Sequence, residues 1–235
     1  VTVISHKYRF IFIKTAKTAG TSVQMALGKV CGPEDICAPL TKKRRPRAGE
    51  EDYLPRNHRG RFFPKFNRGE GRGLRIQGEL KEFFRARKYR PHMTASEIRW
   101  RLGRKYWESY LKFTIERNPW DKVVSDYFWA QRHPENQIPF EQWVREGRWS
   151  GSHFYFYTLD GEVAVDRILR YENLEEDFND LMLSLGVCDP PKLPRAKSGY
   201  RSNRETYHAT HTDYTRERVA MEFSREIEYF GYRFD

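Results

Sequence analysis

Between Tyr8 and Ile13 the chain reads YRFIFI, an almost unbroken apolar run of aromatic and β-branched residues. Such a run predicts a strand buried on both faces, as in the interior of a parallel sheet. It passes into KTAKTAGTS, residues 14–22, after which Val23, Ala26, Leu27 and Val30 recur at helical spacing. The predicted unit is a strand, a short loop and a helix. Further on, Thr94-Ala95-Ser96-Glu97 has the form of a capping box opening a helix through Ile98 and Leu102. Leu111 to Ile115 (LKFTI) predicts a second strand, and Pro119 suits the first turn of a helix whose apolar face is Val123, Val124, Tyr127 and Phe128. A short helix is expected over 139–146, around Phe140, Trp143 and Val144. From Phe154 to Tyr171 the pattern predicts a hairpin about Asp160-Gly161, with DRILRY (166–171) able to join the main sheet. Asn173 is expected to cap a helix through Phe178, Leu181, Met182 and Leu185 that Gly186 ends. Residues 188–202 read as loop, and one last amphipathic helix is expected from about Tyr214 to Tyr229.

Alternating strands and helices predict a three-layer α/β fold with a central, mainly parallel sheet. The 235 residues suit one domain with an insertion, and 38% hydrophobic with 15% aromatic residues suffice for a packed core. No stretch approaches the roughly 18 to 20 apolar residues of a membrane span, and residues 1–14 lack the apolar run of a signal peptide. Cys31, Cys37 and Cys188 suggest neither a disulfide framework nor a zinc site, so a cytoplasmic setting is expected.

Charge changes this picture in one place. The net charge is +11, yet residues 42–105 hold 21 Lys or Arg against 7 Asp or Glu, a local excess of 14 that leaves the remainder slightly acidic. Within that segment residues 41–78 are rich in Pro and Gly and have no sustained period, which predicts a basic, loop-rich insertion at about 41–90. It is either a solvated loop or an electrostatic funnel for an anionic ligand.

The chemistry sits elsewhere. A loop between a strand and a helix start offers free backbone N–H groups and the positive end of the helix dipole, which together bind phosphate. Gly20 allows close backbone approach, Thr21 and Ser22 add hydroxyls, and Lys14 or Lys17 adds charge. A nucleoside-triphosphate loop would place Lys directly after its second Gly. Here Thr21 follows Gly20 and the lysine comes three residues earlier, which favours a single phosphate or phosphosulfate. In RNPWDKVVSDY, residues 117–127, Arg117 stands at the end of a strand and Ser125 on the next helix, where they could grip another phosphate.

Together KTAKTAGTS and RNPWDKVVSDY resemble the two signature motifs of sulfotransferases that use 3′-phosphoadenosine 5′-phosphosulfate (PAPS). The closer likeness is to the carbohydrate-type group, sulfotransferase family 2. ILRYENLEEDF (168–178) and YTRERVAMEFSREIEYFGYRF (214–234) are similar to further stretches of that group, whereas residues 41–78 lie outside the likeness. The resemblance implies a P-loop-NTPase-like fold and an enzyme moving a sulfuryl group to a hydroxyl or amine acceptor. It implies that Lys17, Ala19, Gly20, Thr21 and Ser22 hold the 5′-phosphosulfate, Lys14 assisting, and that Arg117 and Ser125 hold the 3′-phosphate. Lys197 and Arg201, in KSGYR, are weaker candidates for donor contacts. Lys17 is the candidate for stabilising the leaving oxygen and His92 for the base, with Glu79, His58 and Glu116 as fallbacks. No metal is expected, and His208, His211 and Asp213 read as a polar segment before the last helix. Partners are expected to be a carbohydrate or other small-molecule acceptor and no nucleic acid. Two alternatives stay open: a P-loop kinase, disfavoured by the absent Gly-Lys-Ser/Thr run, and a non-catalytic module binding an anionic polymer, for which Tyr53, Phe62, Phe63 and Phe66 are the aromatic platforms.

Overall fold

The computed structural model of the chain describes residues 2–40, 53–59, 88–132, 137–194 and 207–235. Among them a five-stranded sheet has the order β3-β1-β2-β4-β7, with β1 at Val3–Ser5, β2 at Phe10–Phe12, β3 at Ile36–Cys37, β4 at Leu111–Glu116 and β7 at Arg167–Arg170. β2 pairs parallel with β4, and β4 parallel with β7. β1 is antiparallel to both its neighbours, β2 and β3. Four strands therefore point one way and β1 the other, giving the mixed α/β, mostly parallel sheet expected.

YRFIFI is a shorter strand than its apolar run predicts. Tyr8 and Arg9 belong to the turn from β1 to β2, where Arg9 takes a φ of 56° and the Tyr8 N–H donates to Ser5 Oγ at 3.1 Å. The cause is a polar knot beside it. The buried Asp35 carboxylate accepts from Ser5 Oγ at 2.8 Å, from the His6 N–H at 2.6 Å and from the Gly32 N–H at 2.8 Å, which turns residues 6–9 out of the sheet.

Alternation along the strands divides the core. Val3, Phe10, Phe12, Phe113 and Ile115 pack with Val23, Ala26 and Leu27 of helix α1 (Gly20–Val30) and with Phe178, Leu181 and Met182 of a later helix. Ile4, Ile11 and Ile13 instead meet Ile98 of α2 (Ala95–Leu102) and Trp107 of α3 (Arg104–Ser109). Phe12 stacks on Phe113 with ring centroids 5.0 Å apart. Each such side chain, wholly buried, contributes about 1.5–3 kcal/mol. The period of two thus gives the sheet two apolar faces.

Most helix signals hold. Thr94 forms the capping box of α2 with Glu97, and α4 (Pro119–Ala130) begins with Pro119 in its first turn beneath an Asn118 cap. α5 spans Phe140–Arg145. The hairpin is smaller than predicted: β5 (Thr158–Leu159) and β6 (Glu162–Val163) flank Asp160-Gly161, both at positive φ, while Phe154–Phe156 forms a 3-10 turn. α6 runs over Leu174–Ser184; Asn173 stands at its cap position, but its side chain makes no capping bond. The single last helix divides into α7 (Asp213–Glu222) and α8 (Ser224–Phe230). Phe223 leaves helical geometry between them and buries its ring in a cluster with Trp120, Trp143 and Val219.

Residues 41–52 and 60–87, which carry most of the expected insertion, lie outside the described residues. Its middle, 53–59, is docked. Arg56 bridges to Cys37 at the sheet edge, and the Tyr53 ring enters the core against Gly28, whose missing Cβ would stand 2.7 Å from it. A buried Tyr53 is no platform for an anionic polymer, a correction to that reading; Phe62, Phe63 and Phe66 are not among the described residues.

Candidate active site

Two loops leave the same end of the sheet side by side, because β2 and β4 are parallel neighbours. Buried hydrogen bonds tie them. The Thr15 hydroxyl donates to the Ile115 carbonyl at 2.6 Å, the Thr114 hydroxyl to the Ile13 carbonyl at 2.8 Å, and Thr15 and Thr18 hydroxyls lie 3.0 Å apart. The loop from Lys14 to Ala19 then turns through two non-glycine residues at positive φ, Lys17 at 64° and Ala19 at 57°. Each costs about 1–2 kcal/mol, which the surrounding bonds must outweigh. The loop ends at the start of α1, whose cap residue Ala19 offers no side-chain bond and whose first turn holds no acid. Its leading N–H groups are outside the intrahelical ladder, and the helix dipole is uncompensated there.

Gly20 has a different use from the one its sequence suggests. A Cβ on it would stand 2.7 Å from Cγ and 3.0 Å from Cε of Lys14, so the glycine makes room for a lysine stem. Lys14 is buried, and its ammonium donates to Thr21 Oγ1 at 2.9 Å and Gln24 Oε1 at 3.4 Å. The Lys17 side chain is 16% exposed, its Nζ lying 3.8 Å from Asp126 and 5.0 Å from the centre of the Trp129 ring. Asp126 is itself fixed by the Ser150 N–H at 2.9 Å and hydroxyl at 2.6 Å.

Arg117 joins the two motifs. It is buried, its guanidinium lies 3.9 Å over the Tyr171 ring, Nε donates to Asp121 at 2.7 Å and Nη1 donates to the Lys17 carbonyl at 3.1 Å. A second nitrogen, Nη2, is 2.6 Å from the same Asp121 oxygen. These contacts use three of the five guanidinium N–H bonds. Ser125 is half-buried two turns along α4. Lys197 and Arg201 lie outside the described residues.

His92, remote in sequence, closes the other side. It has a φ of 54°, and its ring faces the Lys14 backbone carbonyl, at the very start of the loop, which weakly opposes the fall of its pKa. Burial, with the nearby Lys14 and His153 charges, pushes its pKa down to about 3, so the ring is neutral at ordinary pH. His153, which sequence reasoning passed over, lies beyond it: the Phe156 ring is 6.3 Å from His92 and 5.0 Å from His153. His153 is buried with an unpartnered Nδ1, and burial together with Lys122 lowers it likewise to about 3.

Of the fallback bases, Glu116 is wholly buried against Lys122 at 3.3 Å, cut off from any acceptor. His58 lies in the docked 53–59 segment, and Glu79 is outside the described residues. His211 has both nitrogens engaged, by the Thr215 hydroxyl at 3.1 Å and the Trp120 carbonyl at 3.2 Å.

The sulfotransferase family model matches residues 2–233. The chain belongs to the sulfotransferase family. Its likeness to family 2 therefore extends over nearly the whole chain, the docked 53–59 segment included. An uncharacterized protein of Archaeoglobus fulgidus is 40% identical over 100 residues, which are 40% of this chain and 83% of that protein. The chemistry of the sulfotransferase family is sulfuryl transfer. The two loops, Arg117 and His92 lie at one end of the sheet. What the sequence did not announce are the side chains around them: Asp121 on Arg117, Asp126 on Lys17, and His153. Asp121 had a signal, since an acid four residues after Arg117 shares its helix-start face. His153 had none, because α2, α3, β4, α4 and α5 separate it from His92 in sequence.

Proposed function

We propose that this sulfotransferase takes its sulfuryl group from PAPS and passes it to a hydroxyl, or an amine, of a carbohydrate or other small-molecule acceptor, with His92 as the base. The observation that supports the reading is that Arg117, at the end of one strand, donates to the Lys17 carbonyl of the phosphate-type loop at 3.1 Å, while the buried, neutral His92 ring faces the first residue of that loop. The residues present fit a bisphosphorylated donor. The uncapped, acid-free start of α1 suits one phosphate, and Arg117, whose guanidinium bridges the two loops, with Ser125 on the helix that follows, suits a second. PAPS supplies a sulfuryl group on a phosphate leaving group. Gly20 and Thr21 would present backbone N–H groups and Ser22 its hydroxyl to that phosphate, Lys14 would brace the loop from below, and Lys17, released from Asp126, would stabilise the charge growing on the leaving oxygen. His92 would take the acceptor's proton on a ring nitrogen as the acceptor oxygen attacks sulfur in line. The anionic donor would raise the depressed His92 pKa toward the working range. Exposed Tyr155, stacked close to Phe156, and exposed Trp100 on α2 offer aromatic faces for a sugar. The sheet with helices on both faces accords with a three-layer, P-loop-like single domain carrying the basic insertion, and the sparse cysteines accord with a cytoplasmic setting.

Calorimetry with 3′,5′-ADP and 5′-AMP tests the donor. The bisphosphate is expected to bind at least tenfold more tightly, and Arg117→Ala to remove most of that margin; equal binding of the two nucleotides refutes the donor assignment. His92→Asn is expected to keep 3′,5′-ADP binding while losing turnover by 10²-fold or more, as an order of magnitude for a lost general base. Retained turnover removes His92 from the chemistry.

A further inference from the structure

Asp126 directly follows Ser125 on α4 and stands where three segments meet. One carboxylate oxygen lies 3.8 Å from the Lys17 ammonium of the loop between β2 and α1. The other accepts from the Ser150 N–H at 2.9 Å and from its hydroxyl at 2.6 Å. Trp129, three residues further along α4, presents its ring to the same ammonium with its centre 5.0 Å away.

The two lysines of the loop are held in different ways. The Lys14 stem fills the hollow left by Gly20, and its ammonium is bonded to Thr21 and Gln24 at 2.9 and 3.4 Å, which fixes it. The Lys17 backbone is fixed as well, by the bond from Arg117 to its carbonyl. Asp126 and Trp129 meet its ammonium through a longer ion pair and an aromatic face, contacts that an incoming phosphate can outbid by rotation of the side chain alone. Asp126 is not stranded when the ammonium leaves, because both Ser150 bonds remain.

We propose that Asp126 is a positioning residue, a latch that holds Lys17 aside while the donor site is empty and yields it to the 5′-phosphate of the donor. The proposal rests on PAPS being that donor. Because the pair opens before the phosphate gains Lys17, the latch weakens donor binding without touching the nucleotide. Lys17 is free of Asp126 in the bound state and in the transition state alike, so the effect falls on KM and leaves kcat unchanged.

Asp126→Asn tests this, since an amide oxygen can still accept from Ser150 while the ammonium loses its counter-charge. Calorimetry is expected to show 3′,5′-ADP and 5′-AMP, which share the 5′-phosphate, both binding about three- to tenfold more tightly, the size of a partly buried ion pair. The ratio between the two nucleotides should stay as in the unaltered protein, and KM for PAPS should fall by the same factor at constant kcat. Asp126→Glu, which keeps the charge, should lack most of the gain. Asp126→Ser, a second variant without the carboxylate, should share it, and circular dichroism verifies that each variant is folded. In a Lys17→Met background the gain from Asp126→Asn should drop below about twofold. Three outcomes overturn the proposal: no gain in either carboxylate-free variant, a gain of full size without Lys17, which would make Asp126 a general repellent of anions, or a change in kcat with KM unmoved. If the unaltered protein binds the two nucleotides equally, the donor assignment fails and the latch with it; if it discriminates between them and the variants gain nothing, the latch alone is wrong.

Discussion

Glu116 is the last residue of β4, directly before Arg117, and it is wholly buried. Its one cationic partner is Lys122, whose Nζ stands 3.3 and 3.5 Å from the two carboxylate oxygens and 5.4 Å from the centre of the Phe223 ring. Lys122→Met keeps the stem and removes the charge. At 3.3 Å and an effective dielectric near 20 the attraction removed is about 5 kcal/mol. Breaking a buried pair from one side costs about 3–5 kcal/mol. The two figures agree because the abandoned carboxylate has nowhere to turn: its other charged neighbour is Glu226, which repels it. That carboxylate can still escape by taking a proton. Burial already raises the Glu116 pKa, with Lys122 opposing, so removing Lys122 raises it further. An acid whose folded pKa exceeds its unfolded value of about 4.3 favours the fold at low pH and loses that contribution as pH rises through the folded value. The destabilisation of Lys122→Met should therefore be about 3–5 kcal/mol near pH 8 and shrink toward pH 5, by up to about 1.4 kcal/mol per unit. Urea unfolding followed by circular dichroism at several pH values measures it, with Glu116→Gln/Lys122→Met as the comparison. The double variant should recover most of the loss and its pH dependence. A loss that is the same at every pH, or a double variant no better than the single, refutes the reasoning.

Gly20→Ala should cost about 1–3 kcal/mol, the usual range for overpacking, since its Cβ meets the middle of the buried Lys14 stem. It should also weaken 3′,5′-ADP binding; unchanged urea midpoint and unchanged affinity would count against Lys14 as the brace of the loop. His153 is held neutral in the fold, with a folded pKa of about 3 below its unfolded value of about 6.5, so its contribution is complete above about pH 6.5 and lost as pH falls through that window. His153→Gln should make the acid limb of stability shallower by about 1.4 kcal/mol per pH unit, read from urea midpoints between about pH 6 and pH 4; an unaltered limb would mean that the ring is already protonated in the native protein.

Where the sequence spoke plainly, it did so through local chemistry. Thr94-Glu97 and Asn118-Pro119 mark their helix starts because capping needs those residue types within three or four positions. The loop and Arg117 were legible for the same reason, as each motif is contiguous. Contacts across the fold left no such trace. The turn through Tyr8 and Arg9 depends on Asp35, and Tyr53 belongs to the core only because Gly28 leaves space for it. Phe223 satisfies the helical period that joins Tyr214 to Tyr229, and only the pocket it fills explains why the helix breaks there.

The bond from Arg117 to the Lys17 carbonyl has a consequence for engineering. One guanidinium sits between the two loop segments and braces the backbone of a residue whose conformation is itself unfavourable. The segments are thus not separable cassettes. Residues 14–22 grafted from a relative with a different arginine setting would lose the prop that holds Lys17 in its left-handed turn. A graft that carries the strand end, Arg117 and Asp121 along with the loop would keep it.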